Sequence, residues 1–160
     1  MAEVTINKMM KLSQHFTLGG LTKTSEKTAD GNIPSHVHIE NLKNLCENWL
    51  EPLRQRYNKP TLINSGFRSE AVNKAIGGVK GSNHLTGCAV DIRVTGPEQA
   101  IRYACILLDI ADESKRDFDE LLIERSPKGG YWVHFAVRPG GTSINSVTAP
   151  NRRKVRFIQT

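Results

Sequence analysis

Apolar residues recur at helical spacing in two long stretches of the chain. The first stretch, residues 34–57, predicts a helix with one buried side, and Pro52 inside it predicts a kink or an end. The second opens at Gly96-Pro97 and predicts a helix to about Ala111. The apolar positions of the two stretches are Val37, Leu42, Leu45, Cys46, Trp49, Leu53 and Tyr57, and Ala100, Ile101, Ala104, Leu107 and Leu108.

Shorter runs with alternating or β-branched apolar residues predict strands between and after these helices. The predicted strands span residues 61–64, 89–94, 119–124 and 131–137, with a further strand at 155–158. Ser69 is expected to cap a short helix over 70–76, which Gly77-Gly78 ends. Helices precede and interrupt the strands, so the expected fold class is α+β: a small, mostly antiparallel sheet with helices packed on it.

The first 32 residues are polar and weakly patterned compared with the rest. We predict that residues 1–32 form an extension packed on a domain that spans residues 33–160. Thr17 could cap a short turn there, although Gly19 and Gly20 weaken the prediction. A chain of 160 residues is long enough for one such domain with a real core.

The composition is that of a globular protein with more basic than acidic residues. Lys and Arg number 22 against 16 Asp and Glu, a formal net charge of +6. Basic proteins are attracted to polyanions, which include nucleic acids and the bacterial cell wall. Much of the excess lies near the C-terminus, where a solvated tail is the alternative interpretation: Arg152, Arg153, Lys154 and Arg156.

The sequence pattern predicts neither a membrane span nor a secretory signal. No apolar stretch approaches the ~18 residues that cross a bilayer. The first residues, MAEVTINKMMKLSQHF, have no apolar segment typical of a signal peptide. We therefore expect synthesis in the cytoplasm. Three widely spaced cysteines, Cys46, Cys88 and Cys105, argue against a disulfide framework and an all-cysteine zinc site, so free thiols are expected.

Two of the predicted strands carry a polar residue among hydrophobic ones. Asp91 shares one face of its strand with Ala89 and Arg93. His134 shares one face of a second strand with Trp132. A carboxylate in such a place is costly unless a positive charge offsets its desolvation. A metal ion is one candidate for that charge, and Arg93 or another cation is a second.

A third candidate ligand precedes Asp91 by seven residues, in the loop that leads into its strand. Gly87 permits a tight return that would fold His84 over the strand. His84, Asp91 and His134 would offer zinc two nitrogens and one oxygen and leave a position for water, which is the catalytic arrangement. On spacing alone, a structural histidine and a salt-bridged aspartate stay open as alternatives.

Three segments carry motifs of a known family. Residues 81–91, GSNHLTGCAVD, match the signature SxHxxGxAxD; residues 65–69 match SG(F/Y)RS; and residues 132–135 are similar to the final ligand strand. On these motifs the sequence resembles the M15 family of zinc D-Ala-D-Ala carboxypeptidases and endopeptidases. Further segments resemble its phage-type branch: LSQHFTL, LCENWLEPLRQRY, FDELLIE and the closing Asn151-Arg152-Arg153.

The resemblance implies a function and a role for each matching residue. It implies a zinc metallopeptidase, with one zinc ion per chain, that hydrolyses a peptide bond in peptidoglycan stem peptides at a D-amino acid. His84, Asp91 and His134 would bind the zinc. Arg68 would bind the substrate carbonyl or carboxylate and stabilise the oxyanion. Ser82 would line the pocket, either as a substrate contact or as a support of the loop.

The general base is where the sequence departs from the family pattern. Many members carry an acid three residues before the last histidine, whereas this chain has Tyr131, a phenol with a pKa near ~10. The phage-type branch has an acid at the end of the preceding strand, which corresponds to Glu124. Glu120, on the same strand face, is the second candidate. If Glu124 paired directly with Tyr131 it would face away from His134, and a shift of one residue would bring it to the metal face.

Two alternative functions are compatible with the sequence. One is a catalytically inactive, zinc-containing cell-wall binding module of the same fold, favoured by Tyr131. The other is a basic nucleic-acid-binding protein, although neither a recognition helix nor an aromatic stacking platform is evident. We expect a stem peptide as partner, and neither nucleic acid nor a membrane. A monomer is the expected state. Without a signal peptide, the protein would reach the wall by lysis or as a phage component.

Overall fold

A computed structural model describes residues 5–138 and 153–160 of the chain. The α-helices are α1 (Leu18–Thr22), α2 (His36–Leu45), α3 (Glu51–Tyr57), α4 (Glu70–Ala75) and α5 (Pro97–Ser114). The strands are β1 (Ile63–Ser65), β2 (Ala89–Arg93), β3 (Glu120–Arg125), β4 (Tyr131–Ala136) and β5 (Lys154–Gln159). A π-helical turn, Cys46–Leu50, joins α2 to α3, and a 3-10 turn, Asn83–Thr86, precedes β2. Among these helices, none has the length and apolar character needed to cross a bilayer.

The described strands form one sheet in the order β1-β2-β4-β3-β5. Neighbours are antiparallel except for β5, which runs parallel to β3. The predicted α+β class with a mostly antiparallel sheet is therefore confirmed. In the centre of the sheet, Asp91 on β2 lies opposite His134 on β4, and Leu122 on β3 lies opposite His134 on its other side. Residues in such register share one face of the sheet.

The opposite face of the sheet packs against the helices and forms the core. Its alternate residues are fully buried: Val90, Ile92, Leu121, Val133 and Phe135. Trp49, from the π-helical turn, lies 4.9 Å from Phe135 and 6.3 Å from Phe118 between ring centroids. Burying each large apolar side chain stabilises the fold by about 1.5–3 kcal/mol. One face of the sheet is thus committed to packing, which leaves the other face for the polar residues.

N-terminal residues contribute to the same core. Leu12, Phe16, Leu18 and Leu21 are all buried in the same cluster. Thr17 caps α1 by accepting a hydrogen bond from the Gly20 N–H, so the cap forms despite the two glycines. These contacts join the N-terminal residues to the helices and the sheet.

The first long helix differs from the prediction at its start and at Pro52. Ser35 caps α2 in a reciprocal box with His38, and Val37 is 64% exposed, so it lies outside the predicted buried side. The helical path continues through Pro52 to Tyr57, so of the two predicted alternatives, a kink or an end, the end does not occur. Pro52 lies in the first turn after the π-helical segment, a position where its missing N–H is tolerated.

The basic C-terminal segment is engaged with the fold in the part that the structure describes. Arg152 lies outside the described residues, as does Asn151. Arg153 donates to Asp112 and Asp117, both at 2.8 Å, and its guanidinium lies 5.6 Å from the Phe118 ring centroid. The interpretation as a solvated tail is therefore wrong for Arg153.

All three cysteines are free thiols, as expected, and they differ in accessibility. Cys46 and Cys88 are buried, and burial raises the pKa of both thiols, whereas Cys105 is exposed. Native protein is therefore expected to react rapidly with one equivalent of a thiol reagent, and non-reduced unfolded protein with three. Titration with a chromogenic disulfide reagent measures both numbers, and a count of one after unfolding would contradict the expectation.

Candidate metal centre

Three different elements bring His84, Asp91 and His134 together. His84 lies in the 3-10 turn, Asp91 in the middle of β2 and His134 in β4. One potential ligand atom of each residue lies within 4.8 Å of the others. Asp91 Oδ1 is 3.3 Å from His84 Nε2 and 2.9 Å from His134 Nδ1. The structure thus brings together the three side chains that the sequence singles out as ligands.

The loop that carries His84 is held tightly over the sheet. Ser82 caps the 3-10 turn, because its hydroxyl accepts a hydrogen bond from the His84 N–H at 3.2 Å. Gly87 ends the turn at a φ of +76°, and a Cβ there would lie 2.7 Å from the His38 carbonyl oxygen on α2. Both the positive φ and the close approach require glycine at this return.

Hydrogen bonds outside the cluster fix the orientation of both imidazoles. His84 Nδ1 donates to the Gly66 carbonyl oxygen at 2.7 Å, which leaves Nε2 toward Asp91. His134 Nδ1 faces Asp91, and its Nε2 lies 3.1 Å from Glu120 Oε2. Outer partners of this kind select the nitrogen that a histidine offers to a metal.

Hydrogen bonds and ion pairs link the side chains of the cluster to one another. Burial alone would raise the pKa of Asp91, but the bonds from His134 and His84 hold it well below its usual range. Burial would lower the pKa of His134, but the bonds to Asp91 and Glu120 raise it to about 9. A cation that binds here at neutral pH therefore replaces a proton on His134.

Arg68 supplies the charge that pairs with the second oxygen of Asp91. Its Nη2 donates to Asp91 Oδ2 at 2.9 Å, and its Nε donates to Ser65 Oγ at 3.0 Å. Arg93, which the sequence suggests as a counter-charge for Asp91, instead donates to Asn64 Oδ1 at 3.0 Å. Of the two arginines, Arg68 is therefore the one that pairs with Asp91.

A cleft of about 560 Å³ opens over the cluster. Arg68 and Ser82 both line it, together with the three candidate ligands. The other lining residues are Val79, Gly81, Asn83, Asp119, Glu120, Leu122, Glu124 and Trp132. Both candidate bases thus reach the same cavity as the cluster.

The sheet register resolves the orientation of Glu124. Glu124 pairs with Trp132, and Tyr131 pairs with Arg125. Glu124 therefore shares the face of His134, as it would after the one-residue shift considered above. Tyr131 lies on the opposite face of β4 and packs against the core, outside the cleft.

The two glutamates on β3 differ in their electrostatic surroundings. The hydrogen bond to His134 lowers the pKa of Glu120, and Lys154 Nζ lies 3.8 Å from its other oxygen. Glu124 makes no such ion pair among the described contacts, and burial raises its pKa although the charge of His134 opposes this. The surroundings thus shift the pKa values of the two acids in opposite directions.

Several cleft residues are missed by the sequence reasoning. Asn83 Nδ2 donates to Asp119 Oδ2 at 3.2 Å, and Asp119 Oδ1 accepts from Arg138 at 2.7 Å. Asn83 and Asp119 lie inside the quoted motifs, so their position beside candidate site residues was an available signal. Val79 reaches the cleft from the loop after α4, and no pattern in the sequence marks it.

The residues present fit a zinc ion by the chemistry of their donor atoms. Two imidazole nitrogens and one carboxylate oxygen are the ligand types of catalytic zinc sites with an open position. Each imidazole has a second partner that orients it, and the ligand atoms face a cleft rather than a closed core. His84, Asp91 and His134 are thus the residues that would hold the ion.

Comparison with known proteins places the chain in a family. A search of the curated proteins finds no match. The family model described as Peptidase M15 matches residues 14–118, which is well over half of the chain. The matched range contains Arg68, His84 and Asp91 and ends before β3 and β4. With the resemblance confirmed at this level, the chain belongs to the peptidase M15 family.

Proposed function

We propose that this peptidase is a zinc metallopeptidase that hydrolyses a peptide bond in bacterial peptidoglycan stem peptides, at a D-amino acid. The observation that carries the proposal is the convergence of His84, Asp91 and His134 at a cleft that Glu124 and Arg68 also line. The family membership supports peptide hydrolysis as the reaction. The basic net charge of +6 suits an anionic cell wall.

The residues of the cleft have separate roles in the proposed hydrolysis. Zinc held by the three ligands would polarise the scissile carbonyl and lower the pKa of a bound water to about 7. Glu124 takes a proton from the attacking water and delivers it to the leaving amine, so that the products are a carboxylate and an amine. Arg68 donates to the oxygen on which negative charge develops, an effect of about 3 kcal/mol per donor.

Glu124 is a better general base than Glu120 because of what each carboxylate already binds. Glu120 is engaged by His134 and lies beside Lys154, so a proton transfer would disturb a candidate ligand. Glu124 is partly desolvated, which raises its pKa toward the range in which a carboxylate exchanges protons efficiently. The same comparison weakens the binding-module interpretation, since Tyr131 faces the core and the cleft has its own acid.

Digestion of purified peptidoglycan by zinc-loaded protein tests the proposal. We expect new amino groups to appear and mass spectrometry to identify a cleaved stem peptide. Chelator-treated protein is the control and should release none. If zinc-loaded protein binds the peptidoglycan and releases no amines, the binding-module interpretation is correct. If it binds neither zinc nor peptidoglycan but retards DNA in a salt-dependent gel shift, the nucleic-acid interpretation is correct.

A further inference from the structure

Glu120 contacts the outer nitrogen of a candidate ligand. Its Oε2 lies 3.1 Å from His134 Nε2, while His134 Nδ1 lies 2.9 Å from Asp91 Oδ1 on the other side of the ring. The imidazole is therefore held at both nitrogens by carboxylates. Only the Nδ1 side faces the other candidate ligands, so the contact with Glu120 leaves Nδ1 as the atom for a metal.

Glu120 is itself held in place by the neighbouring strand. Lys154 lies directly opposite Glu120 in the parallel register of β5 with β3, and its Nζ is 3.8 Å from Glu120 Oε1. The side chain of Glu120 is only 18% exposed. Its two oxygens thus have different partners, one on the ligand and one on β5, and this arrangement limits its freedom to rotate away.

From this geometry we infer that Glu120 is a positioning residue, which orients His134 so that Nδ1 binds the metal. The inference rests on the proposed metal site and gives Glu120 a different task from the general base. A carboxylate that accepts from the outer N–H of a histidine ligand fixes its tautomer and strengthens its binding. Glu120 acts through His134 and does not need to touch the substrate.

Two substitutions separate positioning from base catalysis. Glu120→Ala removes the acceptor, whereas Glu120→Gln keeps an oxygen that can accept from His134 Nε2. We expect Glu120→Ala to weaken zinc binding about 10–100-fold. We expect Glu120→Gln to recover most of that loss and to keep most of the turnover at saturating zinc. Glu124→Gln, a change on the same strand face, is the matched control and should bind zinc like the original protein.

Zinc affinity is measured by competition with a chromophoric chelator, and the visible absorption spectrum of the Co²⁺-loaded protein reports the ligand geometry. A changed cobalt spectrum in Glu120→Ala, restored toward the original in Glu120→Gln, supports the inference. Unchanged zinc affinity and an unchanged cobalt spectrum in Glu120→Ala would overturn it. If that variant does not fold, Glu120→Gln decides: a loss of turnover of 10² or more with zinc fully bound identifies Glu120 as a base instead.

The outcomes also distinguish this inference from the proposed function. An unsubstituted protein that binds no zinc contradicts the metal site and the inference together. An unsubstituted protein that binds zinc, with Glu120→Ala unaffected, contradicts the positioning role alone. Zinc binding without hydrolysis of peptidoglycan contradicts the proposed reaction, while the affinities of the two variants still test the positioning role.

Discussion

Glu124→Gln is expected to lower kcat about 10²–10⁴-fold while zinc remains bound. The amide keeps the shape of the side chain but cannot accept the proton of the attacking water. Glu124 shares the cleft face of His134, and its carboxylate makes no ion pair with the residues that the structure describes. Steady-state hydrolysis of a purified stem peptide, together with metal analysis of the same sample, measures both quantities. Unchanged turnover in this variant would remove Glu124 from the mechanism.

The pH profile gives the same prediction a second readout. A general base works only when deprotonated, so activity falls as the pH drops through its pKa. Burial raises the pKa of Glu124, which moves this acidic limb to a higher pH than the same carboxylate would give if it were exposed. The limb should disappear in Glu124→Gln. Arg68→Ala serves as the contrast, because it removes charge stabilisation, lowers turnover and leaves the acidic limb in place.

Removing one candidate ligand is expected to remove the metal and with it the activity. His84→Ala should lose most of the one zinc equivalent per chain, and turnover should fall to the background of the assay. The reason is that two remaining ligands provide too few donors for a stable site. Zinc analysis after dialysis measures the occupancy, and the increase of Tm on adding zinc should vanish in the same variant.

A matched histidine substitution makes this result specific. His36 is exposed at the start of α2 and lies outside the cluster, so His36→Ala should keep both the zinc and the Tm increase. Full zinc occupancy in His84→Ala would show that the metal is held elsewhere. Loss of zinc in both variants would point to a general loss of folding.

The predictable part of this molecule is the part governed by local patterns. The polar interruptions at Asp91 and His134 could be recognised because each lies in the middle of a strand whose residues are mostly apolar. The cap at Ser69 and the turn at Gly87 could be predicted in the same way, since the hydrogen bond of the cap and the positive φ of the glycine both involve only a few neighbouring residues. These signals locate the candidate ligands before any strand pairing is known.

The features that the sequence does not predict depend on how distant segments of the chain pack and pair with one another. The orientation of Glu124 depends on its register with Trp132, and one residue of slip would have turned it away. The arginine that pairs with Asp91 is Arg68, which comes from another segment, although Arg93 lies closer in sequence. A π-helical turn precedes Pro52 in the continuous helical path, and hydrophobic spacing carries no signal for such a turn.

The backbone oxygen that orients His84 belongs to a residue lodged against the N-terminal helix. Gly66 approaches Leu21 so closely that a Cβ would lie 2.3 Å from the Leu21 carbonyl oxygen, and the next residue, Phe67, donates its N–H to that oxygen. Grafting residues 81–91 onto another scaffold would therefore transfer two ligands without the carbonyl that selects Nε2 of His84. A designer who wishes to reuse this site must therefore transfer the segment around Gly66 and the helix α1 that it packs against, as well as the motif.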